Sequence, residues 1–298
     1  QEVLKNALQK ISKMVHNRAI VPAHKNVELI LKNNTLAVHA CNGESTLGLL
    51  ITDITIEDSK GTSKVVVEYK PLFDLISKLP DGNLSVVFTD INMTVGKTSG
   101  AKSVYKLVTF PILEFEALLM NRLPDASATV NLPTELFIQE VNRASNFLAD
   151  PSMTNLCFQH VLLRFIKNSL HIIGSDRTQA YRYIIVIDKE MTGDYLLSNK
   201  TVASMSQALK GEETVSMRVS NSMIEFFSND NYFITAIVQH VYPDVGRMLD
   251  RTPTMVFNAP KDDLSDCLSR ISIVSSDGLD AKRINFNIDK DYISMSGG

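Results

Sequence analysis

One amphipathic helix pattern occurs three times in this chain. It reads Leu4-Lys5-Asn6-Ala7-Leu8-Gln9-Lys10-Ile11, then Phe137-Ile138-Gln139-Glu140-Val141-Asn142-Arg143-Ala144, then Leu264-Ser265-Asp266-Cys267-Leu268-Ser269-Arg270-Ile271, at offsets of 133 and 127 residues. Each copy has apolar residues at i, i+4 and i+7, which is one face of a helix. Each also has a cation at i+6: Lys10, Arg143 and Arg270. At roughly 100° per residue, that position lies well away from the apolar stripe. The stripes imply that each unit has a core of its own. The shared cation implies a symmetric object that presents positive charge along one surface.

The repeat extends beyond the helix. The stretches 27–38, 161–172 and 284–295 each read as a β-rich run, a short polar turn holding Lys with Asn or Asp, and a second β-rich run. In the first two copies a second helix follows, over 71–79 and 200–209, then a polar turn, a hairpin (strands near 85–88 and 92–95, or 215–219 and 223–227) and a closing strand near 104–109 or 232–238. Polar, Pro-bearing segments at 121–125 and 250–253 mark the boundaries. Three domains follow: 1–121, 122–250 and 251–298. The third stops after its first hairpin. Half a unit cannot close its own sheet, and its last strand would be a raw edge, so a longer parent chain is the expectation.

Composition limits what such an object can do. The 298 residues carry 30 Lys+Arg against 33 Asp+Glu, a net charge of −3. A protein that grips nucleic acid by bulk charge is usually clearly basic, so any such contact must come from a local basic face. No apolar run reaches the roughly 18 residues of a membrane span. The N-terminus begins inside an amphipathic helix, with no signal-peptide core. Cys41, Cys157 and Cys267 are odd in number and without motif spacing, which points to a reducing cytoplasm.

Two local motifs then fall at set points of the repeat. Gly174-Ser175-Asp176-Arg177-Thr178-Gln179-Ala180-Tyr181-Arg182 resembles the T-D-x-H-R-L-A segment of the bacterial β sliding clamps, the β subunits of DNA polymerase III. Tyr242-Pro243-Asp244-Val245-Gly246-Arg247-Met248-Leu249 resembles that family's F-P-D-Y-x-R-hydrophobic-L closing segment, and Phe110-Pro111 is a weaker echo in the first unit. The resemblance covers essentially the whole chain. There are departures: Thr178-Gln179 replaces the usual His-Arg, Arg177 stands where a small residue is common, and Val245 replaces an aromatic. These fit a divergent paralogue.

The resemblance implies an α+β protein of three pseudo-repeated DNA-clamp domains, helices inside and antiparallel sheets outside, the third incomplete. It implies a non-catalytic processivity factor: a head-to-tail homodimer ring around double-stranded DNA, loaded by an external ATP-driven clamp loader, with no cofactor and no metal. Lys10, Lys13, Arg18, Arg143 and Arg270 would meet phosphates, with Lys200 and Lys78 weaker candidates. Such contacts are sequence-blind and salt-sensitive. Taken singly, each cation also reads as an ordinary solvated helix face. Phe158, Ser175, Arg177, Thr178, Gln179, Ala180, Pro243, Arg247 and Met248 match positions of the family's cleft between the middle and last domains. There, polymerase and other partners insert a short peptide with apolar anchors. The rival for that segment is an ordinary turn at Tyr242-Pro243-Asp244 with Met248 in the core. The rival for the whole chain is a clamp-fold binding scaffold that does not encircle DNA.

Catalytic readings find little support. The six histidines lack metal-ligand spacing, and no Walker loop, G-x-S-x-G or G-x-G-x-x-G is present. His171, Ser175 and Asp176 could suggest a triad. On a strand, however, 171 and 175 share a face while 176 points away.

Overall fold

The computed structural model describes residues 1–15, 19–56, 62–97, 103–124, 128–152, 155–229, 231–274, 284–289 and 292–297. The first helix forms where the apolar spacing placed it. α1 (Glu2–Ile11) buries Leu4, Ala7, Leu8 and Ile11, with Glu2 in its first turn and Lys10 in its last. That charge order suits the helix dipole. A 3-10 turn (Pro22–Lys25) leads into β1 (Asn26–Lys32), β2 (Thr35–Cys41), β3 (Ser45–Ile51) and β4 (Lys64–Glu68). Next come α2 (Tyr69–Lys78), β5 (Leu84–Phe88), β6 (Asn92–Lys97), β7 (Val104–Val108) and the short α3 (Ile112–Glu116).

The second repeat uses the same order. After β8 (Thr129–Pro133) come α4 (Thr134–Ser145), a 3-10 turn (Leu156–Gln159), β9 (His160–Ser175), β10 (Ala180–Ser198) and α5 (Asn199–Ala208). β11 (Thr214–Val219), β12 (Met223–Ser228), β13 (Asn231–Ala236) and α6 (Gly246–Leu249) complete it. The polar turns correspond in detail. Asn33 and Asn34 are left-handed (φ 49 and 58), and the Thr35 hydroxyl donates to the Lys32 carbonyl at 2.6 Å. Lys167 is left-handed (φ 51), and the Ser169 hydroxyl donates to the Ile166 carbonyl at 2.7 Å. Here β9 continues as one strand from His160 to Ser175, and its register on β10 shifts at that point. Residues 160–167 pair with 191–198, and 169–175 pair with 180–186.

Strand pairing carries the two repeats into one sheet, in the order β4-β1-β2-β3-β13-β12-β11-β8. The seam is β3 against β13, with Thr46 opposite Ile234 and Gly48 opposite Tyr232. It is pinned by Ser45 Oγ donating to Thr235 Oγ1 at 3.0 Å and by Leu50 N–H donating to Asn231 Oδ1 at 2.8 Å. The helices form a row in which α1 packs on both α2 and α5, and α5 on α4. A single apolar cluster runs from Leu8, Ile11 and Leu72 through Phe137, Val141 and Met205 to Phe226. At about 1.5–3 kcal/mol for each fully buried large side chain, this cluster dominates the stability of the unit.

The segment that reads as a polar boundary is tied down. Glu225, fully buried, accepts from Arg122 Nε at 2.6 Å and from Leu123 N–H at 3.2 Å. Arg218 Nη1 lies 3.8 Å from the same carboxylate, with its guanidinium over the Phe227 ring. A buried charge needs such partners. The chain divides into two compact units, Gln1–Leu249, which holds both of these repeats, and Asp250–Gly298.

In the second unit α7 (Lys261–Val274) packs against β15 (Ile293–Gly297), which pairs with β14 (Ile284–Ile288), Ile288 opposite Ile293. None of its described residues is fully buried. Leu264, Leu268 and Ile271, the stripe of the third helix copy, are half-buried. No helix among the described residues is long and apolar enough to cross a membrane.

Candidate nucleic-acid interface and peptide cleft

The row of helices carries more positive charge than the chain average. Within α1, α2, α4 and α5 stand Lys5, Lys10, Lys70, Lys78, Arg143 and Lys200, against Glu2, Asp74, Glu135 and Glu140. Two of the acids sit in first turns, where the helix dipole favours them. Lys13, two residues beyond the end of α1, and Lys78 are exposed.

The cations expected to face phosphate differ in freedom. Lys10 Nζ sits 2.9 Å from Glu212, in the turn after α5, and so links the two repeats. Arg143 Nη1 lies 2.7 Å from Glu140, one turn back on its own helix. Glu140 is buried at the position where α1 has Ala7, and it also accepts from the Tyr181 hydroxyl. Its spacing in the sequence, on the apolar side of α4, was the available signal for this pair. Lys200 is more loosely held, 3.8 Å from Glu44. Arg270 is exposed on α7, with Nη2 3.5 Å from Cys267 Sγ. Arg18 lies outside the described residues. The equivalence of the three i+6 cations is therefore not an equivalence of free charge: Lys10 and Arg143 are engaged by carboxylates, and Lys13 is open.

The expected cleft is built on a small apolar cluster separate from the main core. Cys157, Phe158, Leu162, Ile173, Leu196, Tyr242 and Val245 are buried together, with Val238 and Leu249 against them. Phe158 and Tyr242 meet edge to face at 5.4 Å. Of these, only Phe158 is among the cleft residues expected from the sequence. Tyr242 and Val245 lie inside the quoted motif, and Cys157 is the neighbour of Phe158. Burial pushes the Tyr242 phenol well above its usual range. The backbone of Ser175 approaches that hydroxyl and opposes the shift, without a hydrogen bond of normal geometry. The rim is exposed and partly apolar: Leu156, Val241 and Pro243.

Beside this cluster the turn 176–179 is internally fixed. Ser175, fully buried, donates to the Gln179 carbonyl at 2.7 Å and accepts from Arg177 N–H at 3.1 Å. Asp176 Oδ1 accepts from Thr178 N–H, Thr178 Oγ1 and Gln179 N–H at 2.7–2.8 Å. Partial burial acts to raise the Asp176 pKa, but these hydrogen bonds outweigh it and hold the carboxyl below the usual range. Arg177, Thr178 and Gln179 are exposed at the tip and Ala180 is half-buried. Arg177 is left-handed, φ 84. Phe158 and Ser175 thus lie inside the wall rather than on its surface. Arg247 and Met248 fall within α6, and their side chains lie outside the described residues. His171 pairs through Nε2 with the Ser169 hydroxyl at 3.1 Å, while the Ser175 hydroxyl is held by Gln179, so the suspected triad does not converge.

Against known proteins, residues 1–119 match the family described as DNA polymerase III beta subunit, N-terminal domain. A beta sliding clamp of Rickettsia felis is 21% identical over 302 residues, covering 99% of this chain and 77% of the relative. Among solved structures, a sliding clamp from Pseudomonas aeruginosa bound to griselimycin superposes with TM-score 0.83 at 16% identity, covering 100% of this chain and 81% of the other. The Helicobacter pylori beta clamp bound to a DNA ligase peptide superposes with TM-score 0.76 at 16% identity, covering 100% and 82%. The chain is related to the bacterial β sliding clamps and has their fold.

Proposed function

We propose that this relative of the bacterial β sliding clamps is a non-catalytic processivity factor. It encircles duplex DNA as a homodimer and tethers a polymerase and other partners through the cleft beside Tyr242-Pro243. In this reading 1–121, 122–250 and 251–298 are three clamp domains, and the row of helices faces DNA. Lys13, Lys200 and Arg270 make phosphate contacts, with Arg18 beside them. Lys10 and Arg143 contribute in exchange for Glu212 and Glu140. Phe158, Ser175, Ala180 and Met248 shape the socket, and Arg177, Thr178, Gln179, Pro243 and Arg247 form its rim. The observation that carries the reading is the repeat itself: two like units share one continuous sheet and line up their helices side by side.

The dimer contact falls to an open strand edge. β7 ends the three-stranded sheet β5-β6-β7 and exposes Val104 and Val108. Bare apolar edges of this kind are normally covered. A head-to-tail contact closes into a ring only if its rotation allows. Loading falls to an ATP-driven clamp loader that recognises the clamp through a short peptide, and the setting is the cytoplasm.

The test loads the protein onto nicked circular DNA with a clamp loader and ATP, sizes it by light scattering, and then cuts the circle. A dimer retained on the circle and lost on linearisation is the expected result. A strict monomer that leaves circular and linear DNA equally fast would instead mark a scaffold that has kept the fold without the ring.

A further inference from the structure

The two repeats share a recess as well as a helix. In the second, the 3-10 turn Leu156–Gln159 and Tyr242-Pro243 flank the cleft. In the first, the 3-10 turn Pro22–Lys25 and Phe110-Pro111 stand in the same places, followed by α3 where the second repeat has α6. A satellite apolar cluster lies beneath this one too: Cys41, Val66 and Phe115 are fully buried, with Ala23 and Ile112 packed on them.

Between these elements lies a depression of about 260 Å³, walled by Ala23, Phe110, Pro111 and Phe115 and rimmed by Lys25, Glu68 and Glu114. A second depression, of about 230 Å³, opens on the other side of the Phe110-Pro111 ridge. Each is smaller than the roughly 300–1,000 Å³ of metabolite pockets, a size that suits a single anchoring side chain. Two sockets on either side of one ridge suit an extended chain that places two anchors. Phe110 is 40% exposed, so apolar surface is available to cover. The first recess is acidic at its rim. Two carboxylates and one ammonium rim the first recess, and neither Glu68 nor Glu114 has an ion-pair partner among the described residues. In the second repeat the corresponding turn carries both signs, Asp176 beside the exposed Arg177.

We propose that the recess at Phe110-Pro111 is a second docking site, for an extended peptide whose apolar anchors are followed by lysine or arginine. The proposal extends the reading of the Tyr242-Pro243 cleft as a peptide site to its counterpart in the first repeat. A chain with both sites holds two partners at once, the first-repeat site taking the basic one.

The test is fluorescence anisotropy on the intact chain with two labelled decapeptides, each with a Leu-Phe anchor pair, one followed by Lys-Arg and one by Glu-Asp. The basic peptide binds the first repeat. Its affinity falls about tenfold in Phe110→Asp, the scale of an anchor contact, and about threefold in Glu114→Lys, the scale of an exposed ion pair. It is unchanged in Pro243→Asp. Glu114 is exposed and has no ion-pair partner among the described residues, so its reversal leaves the fold intact and keeps the test valid if Phe110→Asp unfolds. No binding of the basic peptide at millimolar concentration overturns the proposal. So does indifference to both first-repeat variants, or loss in Pro243→Asp. The acidic peptide reads the other site separately: its indifference to Pro243→Asp would count against the cleft and leave the first-repeat result standing.

Discussion

The turns 42–45 and 176–179 have nearly the same backbone and different chemistry. In the first, Asn42 Oδ1 accepts from Glu44 N–H and Ser45 N–H, and the residue between is Gly43, φ 87. In the second, Asp176 Oδ1 accepts from Thr178 N–H and Gln179 N–H, and the residue between is Arg177, φ 84. A left-handed residue other than glycine costs about 1–3 kcal/mol. The first repeat avoids that cost with Gly43. The second accepts it and gains an exposed guanidinium at the tip of the turn. The repeat preserves the frame, and the individual residues set what the frame presents.

The largest effect is expected where the repeats differ in backbone clearance. A Cβ on Gly174 would meet the Ala144 carbonyl oxygen at 2.0 Å. Gly174→Ala therefore has to push α4 away from β9, for a loss of about 3 kcal/mol or more. Thermal unfolding followed by circular dichroism reads this directly, and a variant as stable as the parent means that α4 sits further from the strand. At the counterpart position, Ala40 is already buried, and Ala40→Gly should cost only about 1 kcal/mol.

The charge comparison comes next. Glu212→Gln removes the carboxylate that engages Lys10, so retention on circular DNA should become more salt-sensitive. The log–log slope should steepen by about 0.9 if one phosphate contact is gained. Lys13→Gln should flatten it by a similar amount. If neither slope moves, this helix face does not meet DNA.

Exchange at the turn should show the trade between strain and binding. Arg177→Gly is expected to raise stability by about 1 kcal/mol while lowering affinity for the acidic peptide about threefold. A variant that gains stability and loses no affinity would leave Arg177 without a role at the rim.

The smallest effect separates Asp176 from Asn42. The folded-state pKa of Asp176 is depressed, so its contribution is complete above the unfolded value of about 3.9 and is lost as pH falls through the lower folded value. Asn42 holds the same turn with no titration. Asp176→Asn should therefore leave stability at neutral pH almost unchanged and remove part of the decline below pH 4. Parallel stability curves for parent and variant between pH 6 and pH 2 would place no weight on this carboxylate.

Legibility followed the range of the interactions. The apolar spacing of Leu4, Leu8 and Ile11 and of Phe137, Val141 and Ala144 predicts both helices and their buried faces, because the helical period is local. The hairpin turns at 33–34 and 167 were visible for the same reason. The third helix was equally visible, yet its stripe is half-buried among the described residues, because a helical period fixes which face is apolar and not what packs on it. The segment 121–125 reads as a domain boundary from its polar and Pro-bearing composition. Glu225, about a hundred residues away, turns it into a fixed joint, and no local pattern announces that pairing. The cleft was legible as two motifs but not as a cluster, because Cys157, Ile173 and Leu196 come from separate elements.

By itself, then, the sequence determined the repeated unit, its helix faces, its turns and the placement of its cations, all set by contacts between residues a few positions apart. Only the tertiary structure decided how those cations are used. Lys10 meets Glu212 across the seam between repeats, Arg143 meets a glutamate buried in its own helix, and β3 pairs with β13 to make one sheet of two repeats. Such contacts depend on distance in space, which repeat arithmetic does not contain.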